Sequence, residues 1–311
     1  MARRVAFLLF LLAGNAEPSL DCVKCHAALA ASYAATAHAR ASSPATAQSI
    51  LGSFADGSNI LLTRTADVFF RMEQQKGGFF QTGYTRGKAR AERFDIVIGS
   101  GRRGQSYLYW RDGLLFQLPV SYHTSTNRWI NSPGYVDGEV HFKRGIPPEC
   151  LGCHAANFHL ERMSGGVRYK AGYQLGIGCA QCHGEADRHE QLGRPGLEAC
   201  ARCHAGLEHE GPPEPDVHGN QVALLRGSRC FQKSQKMTCT TCHDVHQTQR
   251  DAESFSVRCQ SCHAATSCPQ ARRENLTAAA GCVSCHMPVL PSKVISVQSY
   301  RTHRIAVYPR R

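Results

Sequence analysis

Apolar positions are most concentrated near the start of the chain, where Val5–Ala13 forms an uninterrupted apolar run behind Arg3 and Arg4. Small residues follow up to Ala16, which is typical of a secretory signal and its cleavage site. This run of nine residues is too short to span a bilayer, because a spanning helix needs about 20. We therefore expect residues 1–16 to be a signal peptide cleaved near Ala16. The mature chain should be periplasmic or extracellular, with no transmembrane span.

The pattern changes twice in the next hundred residues. Ala27–Ala41 is rich in alanine and predicts a helix. From about Ser58, short apolar and aromatic runs separated by turn residues predict an antiparallel β insert over residues 46–145, whose aromatic side chains form its core. The predicted strands are Asn59–Thr63, Asp67–Arg71, Phe79–Thr82 and Phe94–Ile98, followed by a hairpin of Tyr107–Trp110 and Leu114–Gln117 around Arg111-Asp112-Gly113.

The strongest chemical signal is Cys-X-X-Cys-His, which occurs seven times. Cysteines three apart lie on one side of a helical turn, where both can form thioethers with the vinyl groups of one porphyrin. The adjacent histidine then becomes the proximal ligand of the iron. The motifs predict seven covalent haem c groups, with thioethers and proximal ligands at Cys22/Cys25/His26, Cys150/Cys153/His154, Cys179/Cys182/His183, Cys200/Cys203/His204, Cys239/Cys242/His243, Cys259/Cys262/His263 and Cys282/Cys285/His286.

Zinc sites and a disulfide framework are the alternatives for these cysteines. Neither explains why a histidine follows the second cysteine in all seven motifs. The chain has 16 cysteines, so Cys230 and Cys268 remain. In an exported protein a leftover pair predicts a disulfide, and two free buried thiols are the alternative.

The motifs are unevenly distributed. One lies near the start, and six follow between Cys150 and His286, so the haems should replace much of the side-chain core there. We expect a mostly α-helical and irregular multihaem cytochrome c fold, with short helices and loops around stacked haems and a small antiparallel β insert. The predicted divisions are the signal peptide at 1–16, the first motif and helix at 17–45, the insert at 46–145 and a six-haem module at 146–311.

Seven haems would change the net charge of the protein. The chain has a formal net charge of +12, which falls to +10 without Arg3 and Arg4. With ionised propionates, a ferric haem contributes about −1 and a ferrous haem about −2, so the holoprotein is near +3 oxidised and about −4 reduced. Nucleic-acid binding thereby loses its main support, and many basic residues become candidate propionate partners.

Nine histidines lie outside the motifs, enough to give every iron a second histidine, whereas methionine is scarce. Ligation by two histidines keeps the potential lower than histidine/methionine ligation. Of the nine, His123 and His141 lie in or beside the insert, where surface positions are the expectation.

The chain resembles the multihaem cytochrome c superfamily that includes hydroxylamine oxidoreductase, pentahaem nitrite reductase and the tetrahaem acceptor cytochrome of nitrification. It looks most like the doubled-motif cytochromes. The stretches that carry the resemblance are Leu118–Tyr122, Trp129–Tyr135, Ser228–Phe231, Met237–Asp244 and Cys285–Pro288. The resemblance implies distal iron ligands at His38, His189, His246 and His303. His218, and His159 and His209, which closely follow motifs, are further candidates.

These features favour transfer of single electrons between redox partner proteins. One alternative is an oxidoreductase with an open haem that acts on a small nitrogen or sulfur compound. No motif here has the lysine that marks the active haem of the nitrite reductase. A second alternative is a homo-oligomeric conducting filament in which His303 serves a neighbouring subunit.

Overall fold

We describe the fold from a computed structural model of the chain. The described residues are 20–163, 166–170, 172–184, 195–205, 220–234, 236–251, 253–273, 281–292 and 298–309. The predicted signal peptide at 1–16 lies outside them. Within these ranges, no helix has the length and apolar character needed to cross a membrane.

The helices are short, and the strands are numerous. The α-helices are α1 Leu20–Cys25, α2 Ala27–Ala34, α3 Pro148–His154, α4 Ala180–His183, α5 Leu197–His204, α6 Gln221–Arg226, α7 Arg229–Lys233, α8 Glu253–Gln260, α9 Pro269–Arg273 and α10 Cys282–His286. Short 3₁₀ turns cover Cys239–Thr241 and Ala265–Ser267.

The strands extend from residue 42 to residue 301. They are β1 Ser42–Pro44, β2 Ile60–Leu62, β3 Val68–Gln75, β4 Gly78–Thr85, β5 Lys88–Arg93, β6 Ile96–Ile98, β7 Gly104–Arg111, β8 Leu114–Gln117, β9 Val120–His123, β10 Arg128–Asn131, β11 Ala155–Ala156, β12 Leu160–Met163, β13 Gly166–Tyr169, β14 Gln174–Leu175, β15 Val289–Pro291 and β16 Ser299–Arg301.

The expectation of a mostly helical and irregular fold is wrong. In the described part of the chain, helices account for 26% and strands for 28%, and the strands form several antiparallel sheets. Two physical reasons explain the difference. Most motif helices are only one or two turns long, so seven motifs contribute little helix. Strand pairs also form beyond the predicted insert, between β11 and β14, β12 and β13, and β15 and β16.

The chain divides into two compact units. The strand-rich unit comprises residues 37–178 and contains the motif that ends at His154. The motif-rich unit comprises residues 21–36 and 179–311 and contains the other six motifs.

Two antiparallel sheets form most of the strand-rich unit. One has the order β1-β6-β7-β9-β10, with β8 also paired to β7, and the other has the order β2-β3-β4-β5. The predicted hairpin is confirmed, because Trp110 pairs with Leu115, but its turn is one residue shorter than predicted, since Arg111 pairs with Leu114 at the end of β7. Its turn residues, Asp112 and Gly113, both have positive φ, as a tight two-residue hairpin turn requires.

The core of this unit is aromatic, in agreement with the sequence. Phe70 and Met72 are buried on one face of β3, and Trp129 is buried near Tyr107 and Phe94.

A buried polar contact joins the two sheets of this unit. The amide of Gln81 on β4 donates to the carbonyl of Val120 on β9 at 3.1 Å and accepts from its N–H at 2.8 Å. This one side chain therefore joins the two sheets by a pair of hydrogen bonds.

Short helices carry the motifs of the motif-rich unit. Helix α4 packs against α5, and α8 packs against α10, so helices from neighbouring motifs are in contact. The chain then returns through the β15–β16 pair, after which Ala306 donates to the carbonyl of His286 at 3.2 Å. This return brings the C-terminal segment back to the last motif.

Candidate haem centres

The motifs adopt the helical turn that thioether attachment needs. The N–H of the motif histidine donates to the carbonyl of the first motif cysteine at His26 (2.8 Å), His183, His243 and His263 (each 2.9 Å). This bond closes one α-helical turn, which brings the two cysteines and the histidine to one side of the backbone. The local geometry therefore suits covalent attachment to one porphyrin edge.

The second cysteine of a motif lies on the same turn, directly before its histidine. Cys153 lies on α3 and Cys203 on α5, and both are half-buried. Cys262 is exposed, and its N–H donates to the carbonyl of Cys259 at 3.2 Å.

Each of the fourteen motif cysteines is half-buried or exposed, which suits attachment to a porphyrin edge. The fourteen are Cys22, Cys25, Cys150, Cys153, Cys179, Cys182, Cys200, Cys203, Cys239, Cys242, Cys259, Cys262, Cys282 and Cys285. Covalent attachment at Cys153, Cys203, Cys262 and the other eleven stays a prediction.

Hydrogen bonds fix the orientation of three motif imidazoles. The Nδ1 atom of His154 lies 3.2 Å from the carbonyl of Ala41, and that of His286 lies 2.9 Å from the carbonyl of Ala306. Nδ1 of His204 lies 3.0 Å from Oε1 of Gln221. A carbonyl oxygen can only accept, so Nδ1 carries the proton, and the lone pair of Nε2 is left for a metal.

The His154 centre is built within the strand-rich unit. Ser42 on β1 donates to the carbonyl of His154 at 2.6 Å and accepts from the N–H of Gly176 at 2.9 Å. Burial lowers the pKa of His154, which keeps the imidazole neutral and able to bind a metal.

In the motif-rich unit, the ring of His183 faces that of His246. Their ring centroids are 6.0 Å apart, and their planes differ by 16°. Burial, with a smaller contribution from the neighbouring His246, lowers the pKa of His183. Tyr33 on α2 flanks the pair, with its ring centroid 6.2 Å from that of His246.

A second pair joins His243 of the fifth motif to His303 near the end of the described chain. Their centroids are 6.3 Å apart, and their planes differ by 28°. Burial lowers the pKa of His303 to about 4, and its buried Nδ1 atom has no hydrogen-bond partner among the described residues. Phe255 packs against His243 with a centroid distance of 4.9 Å.

Both distances fit two ligands of one metal. A metal–imidazole bond is about 2 Å long and the ring centre lies about 1 Å beyond the nitrogen, so imidazoles on opposite sides of one metal have centroids roughly 6 Å apart. The neutral state of His303 and its unsatisfied buried nitrogen also suit a metal-binding role. The donors at these two pairs therefore fit a haem iron.

Cysteines of different motifs lie side by side in this unit. A hydrogen bond with the Cys239 thiol lowers the pKa of Cys200, and the same bond raises that of Cys239. Cys179 similarly interacts with Cys22, although burial is the main cause of its raised pKa. Attachment points from different motifs are therefore neighbours.

The other candidate ligands have different surroundings. The carbonyl of His38 accepts from Ala41 and Ile177, both at 3.0 Å. His159 is exposed, and its carbonyl accepts from Lys170 at 3.0 Å. His189, His209 and His218 lie outside the described residues. Ligation by these five histidines stays a prediction.

The two histidines of the predicted insert have local partners in the strand-rich unit. His123 is buried rather than on the surface, and its Nδ1 lies 2.8 Å from Oγ1 of Thr126. His141 stacks on Tyr135 with a centroid distance of 4.7 Å. Both contacts suit a packing role.

Cys230 and Cys268 are both half-buried. Cys230 is close enough to Cys242 and Cys259 to contribute to their raised pKa values, for which burial is the main cause. The disulfide between Cys230 and Cys268 stays a prediction.

Sequence reasoning missed the groups that orient the motif imidazoles. Ala41 and Ala306 act through backbone carbonyls, which have no signature in the sequence. Gln221 acts through its side chain, but nothing in its surroundings distinguishes it from other glutamines.

Comparisons with known proteins support the same chemistry. The family model of cytochrome c554 and c-prime matches residues 121–184. The crystal structure of the outer cell wall cytochrome OcwA is similar over 91% of this chain and 78% of its own, with a TM-score of 0.55 and 13% identity. An undecaheme cytochrome from the S-layer of Carboxydothermus ferrireducens covers 69% of this chain and 45% of its own, at a TM-score of 0.39 and 17% identity.

No curated protein matches the chain. The matches do not test the resemblance to the hydroxylamine oxidoreductase and nitrite reductase superfamily, which stays a prediction. The chain has the fold of a cytochrome, and the matched segment together with that fold supports a multihaem c-type cytochrome.

Proposed function

We propose that this chain is an exported electron-transfer protein that carries seven covalent haem c groups and passes single electrons between partner proteins. The observation that carries the proposal is the pairing of a motif histidine with a distant histidine, at His183/His246 and at His243/His303. Two imidazoles on one iron leave no position for a substrate, and this favours electron transfer over catalysis at these centres.

The haem supplies a reversible one-electron iron couple, and the chain supplies its surroundings. Cysteine pairs on helical turns anchor each porphyrin edge. Carbonyl oxygens beside Nδ1 orient His154 and His286 toward a metal, and burial keeps the imidazole of His303 neutral. Ligation by two histidines favours low potentials.

Adjacent attachment points support transfer along the motif-rich unit. The sulfur atoms of Cys200 and Cys239 are hydrogen-bonded neighbours, although they belong to the fourth and fifth motifs. Porphyrins attached at neighbouring sulfurs have edges close together, which suits passage of an electron from one to the next.

The proposed location is outside the cytoplasm. The predicted signal peptide supports export, and covalent haem attachment fits an exported chain. The similar structures come from an outer cell wall and an S-layer, which is consistent with a position at or beyond the cell surface.

The intact mass of the purified holoprotein tests the haem count. We expect seven haems in the wild type, six in a Cys239→Ala/Cys242→Ala variant, and seven in the matched variant Cys230→Ala, which removes a neighbouring cysteine outside the motifs. A count other than seven in the wild type would contradict the proposal.

Electron paramagnetic resonance (EPR) of the ferric protein tests the coordination. We expect mainly low-spin signals and reversible reduction of every haem in a spectroelectrochemical titration. A major high-spin population that binds cyanide would instead favour an enzyme with an open haem.

A further inference from the structure

The loop after the fifth motif holds His246 in a defined position. The N–H of His246 donates to Oδ1 of Asp244 at 3.1 Å, and the N–H of Asp244 donates to Oε1 of Gln249 at 2.9 Å. The hydroxyl of Thr248 donates to the carbonyl of Ala35 at 3.0 Å, which ties the loop to the segment after α2. These bonds fix the backbone from which the imidazole projects.

The same carboxylate also lies beside the ring. Oδ1 of Asp244 is 3.7 Å from Nδ1 of His246, while the ring faces His183. The side chains of Asp244 and His246 are 38% and 32% exposed, so the contact is only partly screened by water.

The oxygen near Nδ1 of His246 belongs to a carboxylate, which distinguishes this histidine from three of the motif histidines. The oxygen beside Nδ1 is uncharged at His154, His204 and His286. At 3.7 Å from Nδ1, the carboxylate acts on the ring through its charge and not through a hydrogen bond. A nearby negative charge favours ferric over ferrous iron, because ferric iron carries one more positive charge.

We propose that Asp244 is a positioning residue that orients His246 and lowers the reduction potential of the haem held between His183 and His246. This inference rests on the proposed function, because it requires a haem at that pair. It assigns to Asp244 a role in setting the driving force for electron transfer at one centre.

The competing explanation is that Asp244 only shapes the loop by accepting from the N–H of His246. Asparagine keeps that acceptor and removes the charge, so Asp244→Asn separates the two roles. Asp244→Glu keeps the charge at the end of a longer side chain. Asp56→Asn removes one exposed carboxylate from the strand-rich unit and is the matched control for charge.

The test is a spectroelectrochemical titration of four full-length holoproteins: the wild type, Asp244→Asn, Asp244→Glu and Asp56→Asn. Intact mass gives the haem content of each, and EPR gives the spin state. We expect seven haems in each protein and unchanged low-spin signals. One haem should shift to higher potential in Asp244→Asn, whereas Asp244→Glu and Asp56→Asn should follow the wild-type curve. The haem that shifts should be the one that loses its low-spin signal in His246→Ala.

The outcomes separate the two proposals. If Asp244→Asn retains all seven haems and titrates like the wild type, the role of Asp244 is overturned while the proposed function stands. An equal shift of the haem potential in Asp56→Asn would also overturn the role of Asp244, because the effect would then come from the net charge of the protein. A wild type without haem, or with mainly high-spin iron, would contradict the proposed function itself.

Discussion

The imidazole of His303 faces that of His243 at a centroid distance of 6.3 Å, although the two residues lie far apart in the sequence. His303 follows β16, and β16 pairs with β15 just after the last motif, so the returning chain carries His303 to the fifth motif. The hydroxyl of Ser228 donates to the carbonyl of His303 at 3.3 Å and accepts from the N–H of Ile305 at 2.7 Å. The β15–β16 pair and Ser228 therefore hold the segment that carries His303 beside the fifth motif.

Replacement of His303 by alanine should convert one haem from low spin to high spin. The reason is that His243 would lose the imidazole opposite it, and an axial position would open. EPR and optical spectra should show the change with seven haems still attached, and added imidazole should restore the low-spin signal. His141→Ala, which removes a histidine stacked on Tyr135, is the control and should leave the spectra unchanged. Unchanged spectra in His303→Ala would contradict the pairing.

Local chemistry was easier to infer from the sequence than long-range pairing. Cysteine spacing predicts a helical turn because it depends on a few adjacent residues, and the His183 turn has that geometry. The hairpin of β7 and β8 was also predictable, because Asp112-Gly113 supplies the turn. In contrast, the pairs His183/His246 and His243/His303 depend on how distant segments pack, which short spacings do not encode.

The excess of strand over the prediction has a similar origin. Ala155–Ala156 and Gln174–Leu175 are too short to show an alternating pattern, yet they pair across the strand-rich unit. Val289–Pro291 contains a proline and has no strand signature, but it pairs with Ser299–Arg301. Pairing partners elsewhere in the chain stabilise these segments, so local propensity alone underestimates the strand content.

The buried amide of Gln81 should be important for the stability of the strand-rich unit. Gln81→Leu would leave the buried N–H and C=O of Val120 without their partners, so we expect a loss of about 2–4 kcal/mol in the free energy of unfolding. Gln75→Leu replaces an exposed glutamine on β3 of the same sheet and should change stability by less than about 0.5 kcal/mol. Chemical denaturation measures both, and equal stabilities would contradict the role assigned to Gln81.

Gly52 is a glycine of the strand-rich unit that has no room for a methyl group. A Cβ atom there would lie 2.1 Å from Cζ2 of Trp129, a distance no packed structure allows. Trp129 cannot move aside freely, because its Nε1–H donates to the carbonyl of Ser53 at 3.0 Å and its ring is buried among other aromatic side chains. We expect Gly52→Ala to lower the unfolding free energy by at least about 1–3 kcal/mol and to change the fluorescence of Trp129. Gly145→Ala is the matched control, since its Cβ would meet nothing within 4 Å. If both variants unfold at the same denaturant concentration, the packing of Trp129 over Gly52 is not the constraint the structure indicates.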